Sequence, residues 1–339
     1  MQRPAPTPRP PARAAMERTG LRTGLTLAAG LLAGLWLDTA RRTSRAEREH
    51  PPSGRFIEAE GTRLHYLDRG TGQPVVFLHG NAILAEDWGL SGILDRAAER
   101  WRCIAFDRPG HGYSERHRAD DSPSAQAAIL RAGIRALGLE KPIIVGHSLG
   151  GAVALAWALD YPEEVGGIVF LSGFAYPTRR LDFLPFIAPA VPIAGQLLSR
   201  TVLQPVDRLL LPALMRRIFE PDPVPESYAL LPIDLMLRPS QLEAGAGQLA
   251  ALVPGVAALA PRYPDIRCPV AILAGEEDRI IDPRDHAVRL HRDIPHSTLH
   301  LMTGTGHMAH HARPEAVLAG IERVTKAVEV DEAHERLAT

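Results

Sequence analysis

Ser148 stands in Gly146-His147-Ser148-Leu149-Gly150-Gly151, directly after the apolar run 142–145 and before a helical pattern that starts at Leu149. Where a strand turns sharply into a helix, the central residue is strained and its neighbours crowd together. Glycines at 146 and 150 answer that steric demand and leave the serine hydroxyl exposed. The helix that follows aims its first amides and the positive end of its dipole at an oxyanion formed beside it. A serine alcohol does not ionise at neutral pH, so a nucleophilic Ser148 needs a base. His307 follows Thr303-Gly304-Thr305-Gly306, beyond an apolar run ending at Met302, and is the candidate. His310 and His311 are alternatives, but they fall nearer the final helix, where exposure is expected. A third group must orient the imidazole and stabilise its charged form. Gly275-Glu276-Glu277-Asp278-Arg279 offers three acids after the run 270–274. Asp278 is preferred, because a turn beginning at Gly275 returns it to the strand ends while Glu276 and Glu277 face solvent.

Two further turns carry polar residues. The run 75–78 leads into His79-Gly80-Asn81-Ala82, where Gly80 lets the backbone turn tightly and present an amide near the nucleophile. The amides of Asn81 and Leu149 are the expected oxyanion donors, with His79, Gly80, Gly146, His147 and Gly150 in support. Asp107-Arg108-Pro109-Gly110-His111-Gly112 reads first as turn chemistry, with structural contacts for Asp107 and Arg108. Neither CxxC pairs nor an HExxH stretch occurs, so a zinc site has little support and no metal is expected. Cys103 and Cys268 each begin an apolar run and are expected as core thiols.

The elements that must position these groups are legible as an alternation. Residues 55–60 and 64–68 read as a hairpin turning at Gly61-Thr62. Short apolar runs at 75–78, 103–106, 143–145, 168–171, 270–274 and 298–302 then alternate with helical patterns at 86–99, 123–137, 149–160, 284–293 and 314–328. This predicts an α/β fold with a mostly parallel, doubly wound sheet, whose ligands bind beyond the carboxyl ends of the strands. The rhythm stops over 174–264, where Pro-punctuated helical pieces predict an inserted cap between two halves of the core, 55–173 and 265–330. Phe174, Tyr176, Leu181, Phe183 and Phe186 are the candidates for an apolar substrate pocket there, against the plainer alternative that they form the cap's own core.

A net charge of −1 over 339 residues argues against a nucleic-acid partner. The charge is nevertheless uneven. Nine Arg against four acids give residues 1–50 a net +5, leaving −6 for the remainder. Residues 1–24 read as a disordered basic arm, in which Met16 is a second possible initiator. The run 25–37 is short for a membrane span and suits the apolar part of a signal peptide, but Asp38 spoils the small-residue site around Ala40. An uncleaved membrane anchor is therefore preferred to a cleaved signal or a soluble helix. A linker at 38–54 and a tail at 331–339 complete the expected organisation.

Taken together, His79-Gly80, Asp107 to Gly112, Gly146 to Gly151, Gly275 to Asp278 and Gly306-His307 resemble the α/β-hydrolase family over residues 55–328, apart from the cap. The resemblance implies an eight-stranded core sheet, a lid, and cofactor-free hydrolysis of a small apolar ester or thioester through an acyl-enzyme. It looks closest to the bacterial esterase, haloperoxidase-like and carbon-carbon hydrolase subgroup. Carbon-carbon hydrolysis and perhydrolysis are reachable with the same three residues, and a catalytically silent binding protein is the rival from another class. Related epoxide hydrolases and haloalkane dehalogenases carry Asp where this chain has Ser148, which argues against an alkyl-enzyme. The loop after Gly80 lacks the longer glycine run of many lipases. The expected location is the bacterial inner membrane with the catalytic domain on the cytoplasmic side, with export or a soluble cytoplasmic state as alternatives.

Overall fold

A computed structural model describes residues 12–116, 120–178 and 184–338. Eight strands form one sheet: β1 Arg55–Ala59, β2 Thr62–Arg69, β3 Pro74–Leu78, β4 Arg102–Phe106, β5 Ile143–His147, β6 Gly167–Leu171, β7 Val270–Gly275 and β8 Thr298–Met302. Their order in space is β1-β2-β4-β3-β5-β6-β7-β8. The first two pair as an antiparallel hairpin and β2 lies antiparallel to β4, whereas the remaining pairs are parallel.

The central runs become strands because both of their faces are covered. Val75 and Phe77 point into a cluster with Trp88, Val317 and Ile321, while Val76 and Leu78 point into the opposite one with Leu130, Val153 and Trp157. Continuous apolar sequence is what such two-sided burial requires, and helices on both faces follow from it. This is the mostly parallel, doubly wound α/β sheet that the alternation predicts. The pattern at 86–99 departs in detail, as it breaks into helices Glu86–Leu90 and Ile93–Ala98 around Gly92, whose φ is +76°.

Between β6 and β7 the chain forms helices that include Ala194–Leu198, Gln204–Phe219, Ile233–Met236 and Pro239–Leu259. Phe219, Tyr228, Leu235 and Met236 of this insertion share a third apolar cluster with Ile83, Leu84 and Met308. The insertion therefore sits over loops that leave the carboxyl ends of β3 and β8.

Both chain ends differ from expectation. A single helix, Ala12–Glu49, runs through the boundaries expected at 24 and 37, so residues 12–24 and 38–49 are helical. No proline interrupts the chain between Pro11 and Pro51, and the pairs Arg42–Asp38 at 2.7 Å and Arg45–Glu49 at 2.8 Å support its last turns. The final helix, Pro314–Ala338, likewise absorbs the expected tail.

Strand order reverses at β3, which has β4 on one side and β5 on the other. A crevice forms at such a switch point, beyond the carboxyl ends of the two diverging strands. Gly80 follows β3 and Ser148 follows β5.

Candidate active site

Ser148 has φ +55° and ψ −119°, between the end of β5 and the helix Leu149–Asp160. A non-glycine residue adopts this conformation only where its surroundings impose it. Its amide donates to the Leu171 carbonyl at 3.1 Å, and its own carbonyl accepts from Gly151 at 3.0 Å and Phe174 at 3.2 Å. A Cβ at position 146 would lie 2.3 Å from the Gly150 oxygen, and one at 150 would lie 2.3 Å from the Leu78 oxygen. The flanking glycines thus let the helix close onto the ends of β5 and β3.

Three side chains converge here. His307 Nε2 lies 3.2 Å from Ser148 Oγ, and His307 Nδ1 lies 2.8 Å from Asp278 Oδ2. The second oxygen of Asp278 accepts from the amides of Ile280 at 2.8 Å and Ile281 at 2.9 Å. With that carboxylate fully committed as an acceptor, Nδ1 of His307 carries the proton and Nε2 faces the hydroxyl as an acceptor. Glu277 does not join them. Its carboxylate accepts from the Thr305 amide at 2.9 Å and braces the loop before His307. Ser148, Asp278 and His307 are each exposed by no more than 7 %.

The Gly80 loop abuts Ser148, since a Cβ at 80 would lie 3.2 Å from Ser148 Cβ. His79 donates from Nδ1 to the Gly80 carbonyl at 2.7 Å and accepts at Nε2 from the Arg108 amide at 2.9 Å. Both ring atoms are thereby assigned, and the ring is neutral. Arg108 is fully buried, and its guanidinium donates to the carbonyls of His79 and Gly80, each at 2.8 Å, and to Gln126 and Gln248 at 2.5 and 2.6 Å. Burial pushes it down to about 9, so it remains a cation at neutral pH. The expectation of structural contacts for Arg108 thus acquires a specific form, a clamp on the loop that carries Asn81.

Behind the site lies a network that sequence reasoning missed. His147 donates from Nε2 to the His307 carbonyl at 3.1 Å and packs on His310, with ring centroids 4.4 Å apart. His310 and His311 bond the two oxygens of Asp87 at 2.7 and 2.8 Å. The expectation that they are exposed is corrected: His310 is fully buried, and the side chain of His311 is 3 % exposed. Buried Asp87, on the helix Glu86–Leu90, offers each an acceptor. The ligating atoms of Asp87, His310 and His311 fall within 4.8 Å of one another, and hydrogen bonding accounts for that proximity. Burial alone would raise the Asp87 carboxyl, but the charge and hydrogen bonds of His310 and His311 outweigh it and hold it below the usual carboxylate range. The adjacent pair His310-His311 was visible in the sequence, but its partner lies more than 200 residues away with no local pattern to mark it.

These buried imidazoles make stability depend on pH. His79 is pushed down to about 3, chiefly by burial and then by Arg108, and burial holds His111 and His147 well below the ordinary imidazole range. The unfolded chain protonates such groups near pH 6.5 while the fold keeps them neutral. Their contribution is therefore present above about pH 6.5 and is lost as pH falls below it. Glu86, pushed up to about 7 by burial and then by Asp107, acts in the opposite sense. Urea denaturation is expected to show a loss of about 1–2 kcal/mol per buried histidine between about pH 7.5 and pH 5. Stability that rises on acidification would contradict this account.

The five candidate pocket residues have separate fates. Phe174 is buried and packs edge-on against His286 at 5.5 Å. Tyr176 packs on Tyr263, and its hydroxyl bonds Asp293 at 2.5 Å, so it belongs to the protein's own core. Phe186 is 50 % exposed and faces outward. Leu181 and Phe183 lie outside the described residues. For Tyr176 and Phe186 the pocket expectation is thus corrected by packing in one case and by exposure in the other. Cys103 and Cys268 are free thiols, both pushed up to about 12 by burial.

The family model for the alpha/beta hydrolase fold matches residues 73–314, and the chain belongs to this family. It is 32 % identical over 276 residues to a 2-hydroxymuconate semialdehyde hydrolase of Pseudomonas putida, covering 77 % of this chain and 90 % of that one. A 2-hydroxy-6-oxononadienedioate/2-hydroxy-6-oxononatrienedioate hydrolase of Paraburkholderia phymatum is 29 % identical over 252 residues, covering 73 % and 85 %. Among solved structures, an esterase from Exiguobacterium antarcticum superposes with a TM-score of 0.66 at 22 % identity, over 81 % of this chain and 99 % of that one. A meta-cleavage product hydrolase from Pseudomonas fluorescens gives 0.65 at 23 %, over 80 % and 97 %. These relatives place the chain in a family that includes esterases and carbon-carbon bond hydrolases.

Proposed function

We propose that this protein is a serine hydrolase that cleaves a carboxylic ester or thioester of a small, apolar substrate. One observation carries this: the continuous line from Ser148 Oγ through His307 to Asp278, with contacts of 3.2 and 2.8 Å, at the sheet's switch point. His307 takes the Ser148 proton as Oγ attacks the carbonyl carbon, and then delivers it to the departing alcohol or thiol. Water, deprotonated by the same imidazole, attacks the acyl-enzyme, and the returning proton frees Ser148.

The amide of Leu149, first in its helix, has no acceptor within that helix. With the amide of Asn81 it supplies the oxyanion hole, each donor contributing about a hundredfold to a thousandfold in rate. The helical insertion acts as the lid over this nearly closed site. The helix Ala12–Glu49 anchors the enzyme in a membrane, a reading supported by continuous exposure of its apolar residues over 22–31.

The relatives named for meta-cleavage substrates favour a second reading, hydrolysis of a carbon-carbon bond in a dienoic ketoacid. Purified full-length protein assayed against p-nitrophenyl esters of graded chain length, and in parallel against 2-hydroxymuconate semialdehyde, separates the two. Ester turnover that varies with acyl length is expected. Turnover of the dienoate alone would overturn the ester assignment and leave the nucleophile in place.

A further inference from the structure

Exposed apolar side chains are unevenly spread over this protein. Of the seventeen large hydrophobic residues left exposed among the described residues, five lie on the helix Ala12–Glu49 and nine on the insertion between Phe186 and Leu214. Among the described residues the hydrolase core, 55–173 and 265–330, contributes only Val330 at its very end. On the insertion, Ile193 is 82 %, Leu209 79 %, Leu210 57 % and Leu197 54 % exposed. A monomeric water-soluble surface scatters such residues singly, whereas concentration on one side marks an interface.

The two apolar elements adjoin. The C-terminal part of the long helix packs on Ser199–Leu203 and Ile233–Met236 of the insertion, with Thr39 and Ala46 buried and Glu47 paired to Arg238 at 2.9 Å. Asp38 and Arg42 lie close enough to Arg208 to act on its charge. Leu209 and Leu210 follow directly, so the exposed face of the insertion begins where the helix leaves the protein. Between Arg22 and Asp38 the helix holds 15 residues without charge, about 22 Å at 1.5 Å each. That is less than the roughly 30 Å of a bilayer's hydrocarbon core. Exposed Arg41, Arg48, Arg216 and Arg217 border the apolar faces, an arrangement complementary to anionic lipid headgroups.

We propose that the outer face of the insertion, from Ile193 to Leu214, is a monotopic docking surface that lies in the headgroup region of an anionic bilayer beside the N-terminal helix. The proposal draws on the position of that helix beside the insertion, goes beyond its reading as an anchor, and is independent of the catalytic assignment. Flotation of the full chain with vesicles of phosphatidylcholine and roughly one third phosphatidylglycerol tests it. The combined variant Ile193→Asp, Leu209→Asp, Leu210→Asp is expected to partition at least about tenfold less than wild type, with ester turnover in solution retained. Flotation equal to wild type overturns the docking surface. Leu27→Asp with Leu31→Asp addresses the anchor separately. If that variant floats like wild type, the anchor reading fails while the docking surface stands.

A second measurement does not depend on the triple variant folding. Ile193→Cys, made in a chain whose half-buried Cys268 is replaced by Ala and labelled with an environment-sensitive fluorophore, is expected to shift its emission to the blue when vesicles are added, Cys103 being buried. An unshifted spectrum overturns the proposal. So does sedimentation showing a wild-type dimer that the triple variant converts to monomer while vesicle binding is unchanged, because a second copy of the chain would then cover this face.

Discussion

Ser148→Ala is expected to abolish labelling by a fluorophosphonate probe and to lower ester kcat by about 10⁵-fold or more. The size follows from what remains. The backbone amides of Asn81 and Leu149 persist, but neither thiol is placed to accept an acyl group at the switch point. Cys103, a buried thiol, lies on β4, and Cys268 lies at the opposite end of β7 from His307. The substitution removes a single 3.2 Å contact and no buried apolar surface, so thermal denaturation should stay within about 1 kcal/mol of wild type. Loss of labelling with an intact fold is therefore a chemical result. If the variant labels as wild type does, the nucleophile lies elsewhere.

Asp278→Asn is expected to cost about 10³- to 10⁴-fold in kcat with KM changed by no more than a few-fold. The carboxylate oxygens accept from Ile280, Ile281 and His307, and no donor is required of them. An asparagine must turn its NH₂ toward either two backbone amides or His307 Nδ1. The first choice sets donors against donors. The second makes Nδ1 the acceptor and moves the imidazole proton to Nε2, where it blocks proton transfer from Ser148. Glu277→Gln is the control: it alters a bond to the Thr305 amide and is expected to lower kcat by less than about tenfold. Equal losses in the two variants would show that the acid loop acts only by holding its shape.

These expectations also separate what the sequence made legible from what it did not. The strands could be read because each central run is buried on both faces, and the turn at Ser148 because glycine spacing records a close approach of backbone to backbone. Asp278 was one acid among three, and only the fold of the turn after β7 separates it from Glu277. The Asp87, His310 and His311 network had no local signature, because its members meet through the packing of the helix Glu86–Leu90 against the short helix Ala309–Ala312 that follows β8. Arg108 stood in a turn rich in Gly and Pro, for which structural contacts were expected without their partners. Its burial depends on four acceptors drawn from three separate segments. At the N-terminus, the apolar run was visible, but the helix around it was not, since Pro-poor flanks of Ala and Arg extend a helix without any amphipathic period.

Arg108 has a mechanical consequence for how the site admits a substrate. One guanidinium grips both carbonyls of the Gly80 loop and Gln248 of the helix Pro239–Leu259, and Gln241 on that helix accepts from the Gly112 amide at 2.9 Å. Lifting this helix would pull on the very loop that must stay rigid for the reaction. The insertion is thus fastened through this helix to the loop beside Ser148, and any motion that admits a substrate without disturbing that loop must leave Pro239–Leu259 in place.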